Sequence, residues 1–396
     1  MMSRKQSKLS KVLTSVICLI LGLFVGLVAS VFVTLPDSYV IPDAAKKSQS
    51  SLAATGDIDV NQVITKDLSI HFLELGNKYT GDCTLIKVGD TEILIDAGSK
   101  ASSVSVIESY VNKYCSDGIL EYVVVTHAHE DHYAGFATNN YADSIFSKFT
   151  VKNIIEFAKT NKSSLKEDKN YNKMYSAYSA NRQKAINDGA SYFKANYFIQ
   201  NSDENNISLG NGVTLQILNQ KFYTDKAATE NDYSVCLMIN QNDKHYLFTG
   251  DLEKEGEKSL VALNSLPKVD VYKAGHHGSK TSSSTELLEV IQPKTICVCC
   301  CAGSSEYTSK NENQFPTQEF VNNVYGTAER LSYTTSVYVT SLCIDYSKGE
   351  FTSFNGNIVI FANNNTVIEI SCSVSTKELR ESDWFKANRT LPTATA

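Results

Sequence analysis

Five of the chain's seven histidines fall in two short clusters, His127, His129 and His132, then His276 and His277. The first cluster sits in Thr126-His127-Ala128-His129-Glu130-Asp131-His132, directly after the apolar run Leu120–Val125, which reads as a buried strand. Any fold of this chain must therefore end a strand and hang three imidazoles and a carboxylate on the next turn. Borderline-soft divalent metals take such nitrogen and carboxylate donors, Zn²⁺ most often. One turn cannot aim four donors at one ion, so the pattern predicts two adjacent ions. Two ions in turn require a bridging carboxylate and a histidine from a distant loop.

Both are available. Leu247-Phe248-Thr249-Gly250-Asp251 ends a strand with Asp251 at its tip, and Gly275-His276-His277-Gly278-Ser279 follows the strand Val269–Tyr272. A Gly-Asp turn alone is weak evidence, and so is a His pair. Their combination, in this order and each after a strand, is specific. Upstream, Leu68–Leu75, Cys83–Val88 and Thr91–Ile95 read as strands, Asp96-Ala97-Gly98 as a turn and Ser102–Tyr114 as a helix. Strand, Asp turn, helix, strand, His turn is an alternating α/β pattern with chemistry at strand ends.

Residues 141–200 differ, with Lys162, Lys166, Lys169 and Lys173 interleaved with Tyr171, Tyr175, Tyr178 and Tyr192. This reads as mostly helical, either an insertion over the site mouth or an amphipathic helix covering the sheet; spacing favours the second. Strands return at Val213–Leu218, Ser234–Ile239, His245–Thr249 and Thr295–Cys301. Helices are expected at Glu253–Leu263, at Ser282–Ile291 capped by Ser282 or Ser283, and from Phe315-Pro316-Thr317 to Tyr325. Asn357–Ala362 and Thr366–Ser371 suggest a terminal hairpin, and the polar residues 373–396 are expected to fray.

The chain opens with Arg4, Lys5, Lys8 and Lys11, then runs from Val12 to Leu35 without a charge. Such a run is long enough to cross a ~30 Å hydrocarbon core as a helix. Residues 1–35 are thus expected to be a cytoplasmic tip and transmembrane anchor, or a signal peptide cleaved after Val28-Ala29-Ser30, with 36–66 as a linker. Either reading exports the rest. The net charge of −6 argues against general nucleic-acid binding and leaves only a local basic groove for it. Cys297, Cys299, Cys300 and Cys301 lack a second C-x2-C pair and read as small buried strand residues.

At these motifs the sequence resembles the metallo-β-lactamase-fold hydrolases. Within them it is most like the extracellular hydrolase domain of ComEC-type competence proteins and similar to bacterial phosphorylcholine esterases. The matching pieces run from His71–Leu75 and Gly81-Asp82-Cys83 through Ile93–Gly98, Thr126–Gly135, Asn231–Leu237, Leu247–Glu253 and Lys273–Ser284 to Gly356–Phe361. The resemblance implies an α/β (α+β) fold, an αββα sandwich, with residues 67–372 as one domain. It implies that His127 and His129 hold a first metal, Asp131, His132 and His277 a second, and Asp251 both. His276 and Asp131 become catalytic candidates, and Asp96 braces the His loop. Most of the superfamily has another His between the first motif and the bridging Asp. Here Asn231-Asp232-Tyr233-Ser234 stands there, so Asp232, or else Asn231, fills that coordination, and His245 is structural.

The expected function is an extracellular, membrane-anchored, metal-dependent hydrolase with two Zn²⁺ (or Mn²⁺ or Fe). It acts as a phosphodiesterase or nuclease-like enzyme through a metal-bridging hydroxide, with Ser279, Lys280 and Thr281 on a phosphate oxygen. Its substrate is a phosphate ester, either nucleic acid or a phosphocholine-bearing polymer, and no obligate protein partner is implied. The alternatives are a lactone or β-lactam hydrolase, or a metal-depleted binding module.

Overall fold

The computed structural model describes residues 58–364 and 367–393. The expected anchor or signal peptide at 1–35, and most of the 36–66 linker, lie outside them. Among the described residues no helix is long and apolar enough to cross a membrane.

Among the described residues sixteen strands make two sheets. In chain order the first six are β1 (Leu68–Phe72), β2 (Thr84–Val88), β3 (Thr91–Ile95), β4 (Ile119–Val125), β5 (Thr150–Glu156) and β6 (Ser191–Lys194). Next come β7 (Ile207–Gly210), β8 (Val213–Ile217), β9 (Leu237–Gln241), β10 (Lys244–Phe248) and β11 (Val271–Lys273). The last are β12 (Thr295–Ala302), β13 (Ser336–Asp345), β14 (Glu350–Ser353), β15 (Ile358–Ala362) and β16 (Glu369–Cys372). The first sheet has the order β16-β15-β1-β2-β3-β4-β5-β6 and the second β14-β13-β12-β11-β10-β9-β8-β7. Each sheet joins antiparallel hairpins to a run of parallel strands, β3 to β6 in one and β10 to β13 in the other.

Period-two alternation sorts β12 between two cores. Cys297 and Cys299 pack between the sheets with Phe248 and Val271. Ile296, Val298 and Cys300 pack toward helices with Leu260, Leu287 and Phe320. Phe72 and Phe248 stack across the gap at 6.1 Å. The nine described cysteines are all free and mostly buried, as small strand residues should be. The result is the expected mixed α/β two-sheet sandwich. Parallel strands on each side bring their C-terminal ends to one rim, where the chemistry-bearing turns lie.

Five expectations need correction. Residues 60–64, counted as linker, form a short helix, α1 (Val60–Ile64), capped by Asp59, with Val63 buried. The 141–200 segment is less helical than expected: it supplies β5 and β6, which extend the first sheet, with α2 (Lys173–Asn187) between them, while Lys162 Nζ donates to the Ala128 carbonyl in the first ligand turn. The cap of the helix α3 (Thr285–Ile291) is Ser284, whose Oγ accepts from Leu287, rather than Ser282 or Ser283. The helix expected to end at Tyr325 runs on as α4 (Gln318–Arg330). Residues 373–393 do not fray: Leu379, Phe385 and Arg389 are buried, and α5 (Asp383–Asn388) docks Trp384 against Gly303. Apolar residues spaced along an otherwise polar tail were enough to dock it.

Candidate metal centre

The first ligand turn is locked from behind. Asp96, at the end of β3, accepts from the Thr126 backbone at 2.8 Å, the Thr126 hydroxyl at 2.7 Å and His132 Nδ1 at 2.8 Å. Its φ of 59° is a left-handed conformation that an Asp tolerates better than most residues. The backbone N–H groups of Asp82 and Ala97 donate to the carbonyls of Asp131 and His132 at 2.9 and 2.7 Å. A Cβ at Gly98 would come within 1.6 Å of the Asp131 carbonyl oxygen, so only glycine lets the two turns approach. Asp96 thus ties Thr126 and His132 together behind the turn.

Asp251 is the hub. Its oxygens lie 3.1 Å from His132 Nε2, 3.6 Å from His277 Nε2, 3.8 Å from His276 Nε2 and 3.9 Å from His127 Nε2. It is held by its own N–H, which donates to Ser234 Oγ at 2.9 Å. His127 Nε2 and His129 Nδ1 are 3.0 Å apart, His132 Nε2 and His277 Nε2 3.2 Å, and Asp131 lies 3.5 Å from His277 Nε2. Four imidazoles on one carboxylate, from turns more than a hundred residues apart, form one buried volume.

The donor set fits a cation. Asp251 Oδ1 is buried with His132 Nε2 at 3.1 Å but outside hydrogen-bond geometry, and Asn231 Oδ1 is buried without a hydrogen-bond partner among the described residues. His132 and His277 meet through ring nitrogens whose other nitrogens already have partners, His132 Nδ1 on Asp96 and His277 Nδ1 on the Cys299 carbonyl at 2.9 Å. That pattern leaves both Nε2 lone pairs for a shared acceptor of electrons. Asp82, His132, Asp251 and His277 offer ligand atoms all within 4.8 Å of one another.

Electrostatics divide the imidazoles. Burial holds His127 well below the ordinary histidine range, and lowers His129 and His276, so these three are neutral ligands or donors. Burial also disfavours charge on His132 and His277, but Asp251 with Asp96, and Asp251 with Asp82, outweigh it. His132 rises well above its usual value and His277 to about 10, so without a cation each Nε2 holds a proton that a bound cation would displace. Burial likewise opposes charge on Asp251, and His132 and His277 outweigh it and pull its carboxyl well down. The carboxylates therefore hold their charge and want positive partners.

Asp232 is not in this cluster. Its Oδ1 accepts from the Glu253 backbone at 3.2 Å and its Oδ2 from Thr229 at 3.4 Å, so it caps the chain after Asp251 and corrects the expectation that it fills the first site. Its neighbour Asn231 turns inward instead, Nδ2 lying 3.1 Å from Glu253 and 3.5 Å from His276 Nδ1. His245 bonds Asn240 at 2.8 Å within the sheet and is structural, as expected. Thr281 Oγ1 holds His276 Nδ1 at 3.0 Å and Ser279 Oγ at 3.2 Å, while Lys280 is exposed at the rim. His276 and His277 both have positive φ, 47° and 53°. Two successive non-glycine residues in that region cost about 1–3 kcal/mol each, and the turn aims both rings inward.

Asp82 and Lys273 were not singled out from sequence. Asp82 lies 3.2 Å from His277 Nδ1 and 2.7 Å from Lys273 Nζ. Both lie in segments that carry the resemblance, but an Asp after a Gly and a Lys at the end of an apolar strand are too commonplace to mark a role. Tyr307 was missed for the same reason; its hydroxyl donates to Asp131 Oδ2 at 2.8 Å.

The two-sheet sandwich with this cluster at one rim resembles the metallo-β-lactamase fold, and the chain is similar over part of its length to two curated proteins of the ComEC-like competence type. ComE operon protein 3 of Bacillus subtilis is 37% identical over 92 residues, 22% of this chain and 12% of that protein. Recombination protein 2 of Haemophilus influenzae is 35% identical over 82 residues, 21% of this chain and 10% of that protein. The match thus spans about a tenth of the length of these curated relatives. A family model described as Anti-Pycsar protein Apyc1 matches residues 74–269, which takes in the first His cluster and Asp251 and stops short of His276. Among solved structures, the metallo-β-lactamase fold protein YhfI from Bacillus subtilis aligns with a TM-score of 0.38 at 12% identity, over 69% of this chain and 96% of that one.

Proposed function

We propose that the protein is a metal-dependent phosphodiesterase, exported and held at the membrane by its N-terminal apolar run. The observation that carries the reading is Asp251 in reach of four imidazoles, the position a carboxylate shared by two cations would take. His127 and His129 would hold the first ion, with Asn231 beside it, and Asp131, His132 and His277 the second. We assign two Zn²⁺, with Mn²⁺ or Fe as substitutes. When bound, such cations supply Lewis acidity, lowering the pKa of water and screening phosphoryl charge.

The chain's own residues do the rest. Asp96 and the Cys299 carbonyl fix the tautomers of His132 and His277, so that Nε2 faces inward in each. His276, kept neutral by burial and oriented by Thr281, stands open on the substrate side to donate to a phosphoryl oxygen. Asp131, an ionised carboxylate whose Oδ2 faces both His277 and Tyr307, is placed to take the proton of the attacking water and return it to the leaving oxygen. Lys280 at the rim supplies a charge for an incoming anion. The phosphate preference rests on the resemblance to phosphoester-cleaving branches; hydrolysis of a lactone or β-lactam is the second reading, because the same centre serves it.

The test is a substrate panel on the full chain: a phosphodiester, a phosphomonoester, a lactone and a cephalosporin. Turnover of the phosphodiester is expected to dominate. Turnover of the lactone or the cephalosporin alone would replace the assignment.

A further inference from the structure

Tyr307 is 56% exposed, yet its hydroxyl is tied to Asp131, a member of the buried cluster. The phenol tip is therefore fixed at the site while over half of the residue's surface stays open to solvent. Phe315 stands 5.5 Å from it, centroid to centroid, and itself packs 6.0 Å from His277 and 5.6 Å from His276. An aromatic row thus runs from the histidine pair outward.

The loop that carries this row is staked at several points. Gly303 N–H donates to the Phe315 carbonyl at 2.8 Å, and Thr80 N–H donates to Glu306 Oε2 at 2.9 Å. The buried Arg389 guanidinium, from the docked tail, donates to the Pro316 and Gln314 carbonyls and to Asn311 at 2.7–2.8 Å. An exposed aromatic face on a mobile loop would lose entropy on binding; this one is already ordered.

We propose that Tyr307, backed by Phe315, is a stacking subsite for a planar aromatic substituent, such as a nucleobase, on the phosphoester seated at Asp251. The proposal rests on the phosphodiesterase reading and adds its specificity. A substituent leaving the cluster past Asp131 crosses the Tyr307 face. The two rings stand 5.5 Å apart and are tilted at 42°, so Phe315 supports the Tyr307 ring on its inner side, next to the histidine pair. Stacking of a base on such a ring is worth about a factor of ten in affinity.

The test uses the zinc-loaded full chain and compares adenosine 5′-monophosphate with ribose 5-phosphate as competitive inhibitors of phosphodiester hydrolysis. The nucleotide is expected to bind about tenfold tighter. Tyr307→Ala is expected to bring the two within about twofold, and Tyr307→Phe, which keeps the ring and loses the bond to Asp131, to retain the preference. A ratio near one in the unmodified protein, or an unchanged ratio in Tyr307→Ala, overturns the subsite and leaves the phosphodiesterase standing. Absence of any phosphodiester turnover overturns both.

Discussion

Lys273 Nζ lies 2.7 Å from Asp82 Oδ2 in a buried ion pair directly behind the His277 imidazole. Burial alone would push the Asp82 carboxyl up and the Lys273 amine down. Lys273 and His277 reverse the first and Asp82 the second, so both carry charge in the fold. The pair ties the loop before β2 in one sheet to β11 in the other, and so fixes the depth of His277. Removing one member leaves the other charged and uncompensated, which costs about 3–5 kcal/mol. Lys273→Met and Asp82→Asn are each expected to lose that much in urea denaturation. The double variant is expected to recover most of it, and a strictly additive double variant would mean that the two charges do not couple.

His71 gives a pH dependence away from the metal cluster. It is fully buried on β1, bonded to Tyr110 Oη at 2.9 Å and Ser69 Oγ at 2.8 Å. Burial, with help from Lys87, lowers its pKa to about 3. A histidine depressed in the fold contributes stability that is fully present above its unfolded value near 6.5 and lost as pH falls toward 3. The integrated loss is on the order of 5 kcal/mol. His71→Gln, which keeps a polar partner for both neighbours, is expected to flatten the decline in stability between pH 6.5 and 4. An unchanged slope in that variant would show that the imidazole is not held neutral.

Asn231 and Asp232 separate cleanly. Asn231 faces the cluster with its buried Oδ1 unpartnered, whereas Asp232 accepts from the Glu253 backbone and Thr229. Asn231→Ala is expected to weaken metal retention about tenfold in chelator competition. Asp232→Ala is expected to leave it unchanged and cost about 1 kcal/mol of stability. Equal losses of metal from both variants would contradict the assignment.

The strand ends that bear chemistry were legible because histidines are scarce and each ligand turn follows an apolar run; Leu120–Val125 and Leu247–Phe248 could hardly be anything but buried strands. The two strands β5 and β6 were hidden. Ser191–Lys194 is short and half exposed at a sheet edge, so it lacks an apolar signature, and the surrounding Lys and Tyr pattern reads as helix. Asp82 and Tyr307 were illegible for another reason: their importance lies in who faces them, His277 and Asp131, and those partners are distant in sequence. Asp232 was misassigned because adjacent residues in a tight turn point to opposite sides, and sequence order does not say which one turns inward.

The most direct measurement is metal content, by elemental analysis, of the full chain beside Asp251→Ala, paired with phosphodiester turnover on the same samples. About two equivalents of zinc are expected in the unmodified protein, with less than one in the variant and no turnover there. A protein that binds no divalent metal, or a variant that loses the shared carboxylate and still turns over the phosphodiester, would contradict the account.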